Sequence, residues 1–123
     1  MRQSPYTVAV LNQLGIDRDQ VTALATEQGD TTPIGQCAAT IATTIWNMEA
    51  AERAAKENVT AITEQAEKQA AALATAEATF SADWLTTYAQ RAAEADATLR
   101  LCTETLRTFN HMLGLLLTQA TAA

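Results

Sequence analysis

The sequence predicts an all-α fold: a long antiparallel helical hairpin, coiled-coil-like in its spacing, with two short N-terminal helices packed at its open end. Three observations lead there. An apolar seam spaced four, three, four, three runs from Ile34 through Ile41, Ile45, Met48, Val59, Ile62 and Leu73 to Phe80, alternating the a and d positions of a heptad. A second seam runs from Leu85 through Leu99, Cys102, Leu106 and Leu113 to Ala120. Between Phe80 and Leu85 the step is five residues and the register is lost. A stop and a start this close permit a tight turn or one continuous helix, and the lost register favours the turn.

Each element carries its own signals. Residues 1–30 hold two short helices. The first, Pro5 to Leu14, places Tyr6, Val10, Leu11 and Leu14 at helical spacing and stops at Gly15, a good C′ residue. The second starts at Asp17, which forms a capping box with Gln20 while Ile16 staples to Val21, and ends near Gln28-Gly29. Thr32 as N-cap and Pro33 at N1 restart the chain for a long helix over 33–80, free of Gly and Pro from Gln36 onward. Its Glu49/Arg53, Glu52/Lys56 and Glu64/Lys68 pairs at i,i+4 mark a solvated flank. The last helix covers 82–120, with Ser81 as cap, Asp83 in the first turn and Phe80 stapled to Leu85.

A turn centred on Ala82 and Asp83 fixes an antiparallel register. It sets Ile62 opposite Cys102, Val59 opposite Leu106, Ala66 opposite Leu99 and Leu73 opposite Ala92. Val59→Asp is then expected to bury an unpaired charge and to cost several kcal/mol. Cys37 falls on the order of 35 Å from Cys102 along the helices, so an intramolecular disulfide is not expected. Glu52 and Gln69 are polar intrusions in the seam, of the kind that fix register at a cost in stability.

Composition narrows the function. A chain of 123 residues, 48% hydrophobic and 18% charged, is one globular domain on length and composition. Its net charge of −6 opposes binding to nucleic acid or to an anionic membrane surface, and Lys and Arg form no cluster. No apolar run suits a membrane span and the first residues lack the order of a Sec signal. A cytoplasmic protein is expected, with export independent of a cleaved signal left open. No catalytic, cofactor-binding or metal-ligating set is expected either. His111 is the single histidine, without an acid three or four residues before it. Cys37 and Cys102 stand apart, and no glycine-rich phosphate loop occurs.

What asks for explanation is the large apolar residues off the seam: Trp46 at a b position, Leu101 and Leu115 at c, Leu117 at e and Trp84 at g. Either the N-terminal helices fold back over Trp46, Leu115 and Leu117, or these residues form an interface for another copy or a partner. In size, acidity and hairpin shape the chain resembles the small helical-hairpin proteins exported by type VII secretion. The Trp-x-Gly turn of that family is replaced here by Trp46-Asn47-Met48 and Trp84-Leu85-Thr86, and its Tyr-x-x-x-Asp/Glu export pattern is absent. The stretch Gly35 to Ala72, with Gln65-Ala66 and Gln69-Ala70, is similar in texture to R-body coat proteins, which polymerise into coiled ribbons. Neither resemblance assigns a role to a residue. The expected function is a non-enzymatic structural or interaction protein that self-assembles through helix surfaces, as a homo-oligomer or filament. The alternative is a signal-independent exported hairpin, or a subunit completed by a different helical protein.

Overall fold

Four helices follow one another: α1 (Pro5–Leu14), α2 (Arg18–Gln28), α3 (Pro33–Ala74) and α4 (Asp83–Ala122). The computed structural model describes residues 4–75 and 81–122. The long helices α3 and α4 pack against each other as the predicted hairpin, and the two short helices lie across its open end, α2 mainly on α3. The Ala76 and Phe80 positions of the first seam, and the staple from Phe80 to Leu85, lie outside the described residues.

The short helices are set by their ends. At Gly15, with φ of 70°, the α1 chain turns left-handed. The N–H groups of Gly15 and Ile16 reach back to the carbonyls of Asn12 and Leu11, a Schellman closure. Asp17 then accepts from the N–H groups of Asp19 and Gln20 and opens α2. At the next junction Thr32 Oγ1 accepts from Gly35 N at 3.0 Å, with Pro33 in the first turn of α3. Ile16 and Val21, the expected staple, are both buried.

The core is confined to the open end. Val10, Leu11, Ile16 and Val21 of the N-terminal segment meet Cys37, Ala38, Ile41, Ile45 and Met48 of α3 and Cys102, Leu106 and Leu113 of α4. Beyond Ala51 on α3 and before Ala95 on α4, none of the described residues is buried. Among the described residues the distal half of the hairpin is therefore two helices with no enclosed side chain, and Val59 and Leu73 are 57% and 61% exposed.

That distribution corrects the register read from the seam. The Cys37 thiol donates to the Phe109 carbonyl at 3.2 Å. Cys102 and Leu101 share a hollow with Asn47, Ala50, Ala51 and Ala54 rather than with Ile62. The pairing is thus shifted by about fifteen residues, on the order of 22 Å along the helix. Its physical origin is the connection. α3 closes at Ala74 instead of running to Phe80, Thr75 Oγ1 turns back onto the carbonyl of Ala71, and Ser81 N returns to the height of Gln69, donating to Oε1 at 3.0 Å. Gln69, an intrusion in the seam, is what receives the returning chain. The shift also brings the two cysteines nearer, to roughly ten residues or about 15 Å along the hairpin, which is still too far to bridge, and both are free.

Candidate interaction surface

The polar residues of the open end fasten the short helices to one side of the hairpin. The first N–H groups of α1 lack a side-chain cap of their own, since Ser4 supplies none. The Glu52 carboxylate replaces it, accepting from Tyr6 N at 3.2 Å and from Thr7 N and Thr7 Oγ1 at 2.7 Å each. A negative charge at a helix N-terminus is also where the helix dipole favours it. The seam intrusion at Glu52 is thus a cap lent by one helix to another. Arg18 grips Glu49 in a two-pronged pair at 3.0 and 2.6 Å. Those hydrogen bonds raise the guanidinium above its ordinary value, against a smaller opposing effect of burial. From α4, Asn110 Nδ2 donates to the carbonyl of Leu14 at 3.0 Å. Every one of these contacts lies on the same flank of α3 and α4.

The opposite flank is uncovered. Two hollows open on it, and both are lined by α3 and α4 alone. The larger, about 630 Å³, lies between Ala51 and Ala54 of α3 and Ala95, Thr98 and Cys102 of α4. The smaller, about 300 Å³, lies nearer the open end, between Gln36, Cys37 and Thr40 and Phe109, Met112 and Leu116. The two helices contribute different shapes. α3 presents small or short side chains (Thr40, Thr43, Asn47, Ala50, Ala54), and α4 presents a ridge on which Leu101 is 68% and Met112 43% exposed.

Toward the open end this flank carries no charge. From Pro33 to Met48 α3 carries no charged residue at all, and with 100° between successive residues Glu49, Glu52 and Arg53 lie roughly 60° or more from the Ala50 row; only farther toward the turn do Glu57 and Lys68 enter the rows of Ala50 and Ala54. On α4 the charges after Ala95, which are Asp96, Arg100, Glu104 and Arg107, cluster on the far side in the same way. Arg91 and Glu94 line the larger hollow at its end toward the turn, and there the neutral stretch ends. On a chain of net charge −6, a two-helix stretch from Gln36 to Ala54 and from Ala95 to Leu116 without an ionised group on this flank is the least ordinary surface feature.

The five residues singled out from the sequence are distributed unevenly over this frame. Leu101 belongs to the uncharged face. Trp46, 57% exposed, is one turn from Ala50 along the rim of that face, and Leu115, 53% exposed, adjoins Leu116 at its open end. Leu117 is half-buried, packed against the core and facing Leu24 and Val21 across a hollow, so α2 covers it. Trp84 is half-buried near the turn: its Nε1 donates to the Ser81 carbonyl at 2.7 Å and its ring lies 6.4 Å from that of Tyr88. The N-terminal helices thus cover Leu117 but leave Trp46 and Leu115 exposed. Met112 is absent from the sequence candidates because it merges into the apolar C-terminal run. Its spacing of eleven residues from Leu101, close to three full turns, places it on the same face.

Other chemistry is sparse. Burial pushes the Cys37 and Cys102 thiols up, which keeps both protonated near neutral pH. Among the described residues no group of three or more His, Cys, Asp and Glu side chains converges as metal ligands, and no helix is long and apolar enough to cross a membrane. Set against protein-family models, curated proteins and solved structures, the chain matches none.

Proposed function

We propose that this chain is a structural or interaction protein, without a catalytic centre, that assembles with itself through helix surfaces. The observation that carries the reading is the uncharged, partly apolar flank shared by α3 and α4, with Leu101 and Met112 standing out of it. Exposed apolar side chains on a charge-free surface are costly to leave in water and cheap to bury against another helix. A second support is the distal hairpin, which encloses no side chain among its described residues. Long helices in water draw most of their stability from packing rather than from propensity, and further helices would supply it. The alternative of a subunit completed by a different protein has less support, because Ile41, Ile45, Met48 and Leu106 are already fully enclosed by the chain's own helices.

Light scattering on the purified chain at micromolar concentration tests the reading. The expected result is a mass at least twice the 13.1 kDa of one chain. A well-folded species that stays at 13.1 kDa over the whole accessible concentration range would overturn it.

A further inference from the structure

We infer that the uncharged face takes a second copy of this chain, related to the first by a two-fold axis parallel to the hairpin, so that α4 of each copy lies on α3 of the other. This rests on the self-assembly reading above and specifies its geometry.

Shape leads to the arrangement. The face is a ridge beside a trough: Leu101 and Met112 project from α4, while Ala50, Ala54 and Asn47 leave α3 low. Of the two-fold axes that bring such a face onto itself, one perpendicular to the helices sets ridge on ridge and trough on trough. The axis parallel to them sets ridge in trough twice over, which is the isologous, self-complementary arrangement of a closed dimer. A rotation about that axis leaves heights along the hairpin unchanged. Asn47 and Leu101 line the same hollow within one chain, so Asn47 of the second copy arrives at the height of Leu101. By the same reasoning Gln36 arrives at Met112, its neighbour in the other hollow.

Charge argues for a copy rather than a foreign protein. A partner selected by opposite charge would dock on the acidic flanks. A like-charged copy can approach closely only where the −6 chain has no ionised group, and between Gln36 and Ala54 the α3 charges Glu49, Glu52 and Arg53 then lie off the interface. The area suffices. The neutral stretch is roughly 27 Å long at 1.5 Å per residue and about 20 Å wide for two packed helices. Pairing it with itself buries on the order of 1,100 Å² in total, above the roughly 1,000 Å² that a specific interface needs.

The test is a pair of complementary variants, Leu101→Lys and Asn47→Asp, each purified alone and then mixed. Both positions are exposed in the single chain, so circular dichroism of each should match that of the wild type. Alone, each variant sets two unpaired charges against a neutral helix, and its self-association is expected to weaken at least about tenfold. Mixed in equal amounts, they should form a one-to-one heterodimer, since the new ammonium of one copy meets the new carboxylate of the other while the second contact stays Leu101 on Asn47. Met112→Lys with Gln36→Asp repeats the test at the other hollow if either first variant loses helicity. If both single variants dissociate and the mixture stays monomeric, the parallel geometry is wrong. If Leu101→Lys assembles as well as the wild type, this face is not the interface, and self-assembly through another surface still stands. A monomeric wild type would remove both readings.

Discussion

Replacing Leu106 with alanine is expected to lower the unfolding free energy by about 4 kcal/mol, the upper part of the range for deleting a buried leucine. Leu106 is fully enclosed and belongs to the one cluster that joins all four helices, together with Ile41, Ile45 and Met48. Little in that cluster can collapse into the void, because its neighbours are held on three sides by other helices. Val59→Asp is the informative comparison. The register read from the seam buries Val59 against Leu106 and makes that substitution severe. With Val59 at 57% exposure its expected cost is under about 0.5 kcal/mol. Denaturant melts of the two variants decide between the registers: a loss for Val59→Asp equal to that for Leu106→Ala would mean that α4 is paired as the seam implies and not as described above.

Gly35→Ala is expected to cost about 3 kcal/mol, for a steric reason at the junction of α2 and α3. A Cβ at Gly35 would lie 1.7 Å from the carbonyl oxygen of Gly29, a backbone atom that cannot swing aside. Gly29 itself has φ of 71° and ψ of −176°, a conformation essentially restricted to glycine. Neither side of the contact can yield without unseating α2 from α3, so the loss should reach the upper part of the range for overpacking. Gly114→Ala is the control. Nothing lies within 4 Å of its added Cβ, and the better helix propensity of alanine should stabilise by up to roughly 1 kcal/mol. Thermal melts should therefore move in opposite directions, and a Gly35→Ala melt at or above the wild type would contradict the close contact.

The helices and their ends were legible because they rest on local chemistry. Asp17, Thr32 and Gly15 cap their helices as their residue types and positions require, and Pro33 occupies the first turn of α3. The four-three spacing identifies the facing side of each long helix but not their axial offset. A heptad seam repeats every seven residues, so sliding one alanine-rich helix past another costs little in the pattern itself. The offset is set instead by tertiary contacts of low sequence signal: the side chain of Gln69 receiving Ser81 N, and α1 and α2 gathering Ile41 to Met48 and Leu106 into one core. Glu52 is similar. Its place in the seam flags it as unusual, but its partners Tyr6 and Thr7 are more than forty residues away, beyond any periodic argument. The uncharged flank is present in the sequence as the lack of any charged residue in α3 before Glu49. It escapes a reading that seeks exposed apolar residues singly, because its signature is where charge is missing.

Hydroxyl-radical footprinting of the unmodified chain, compared between concentrations at which it is assembled and dilute, tests most directly that the uncharged flank is the assembly surface. Oxidation of Met112 and Leu101 is expected to fall on assembly, while Tyr6, 46% exposed on α1, keeps its reactivity. Equal oxidation of Met112 and Leu101 in both states, or protection of Tyr6 in their place, would contradict it.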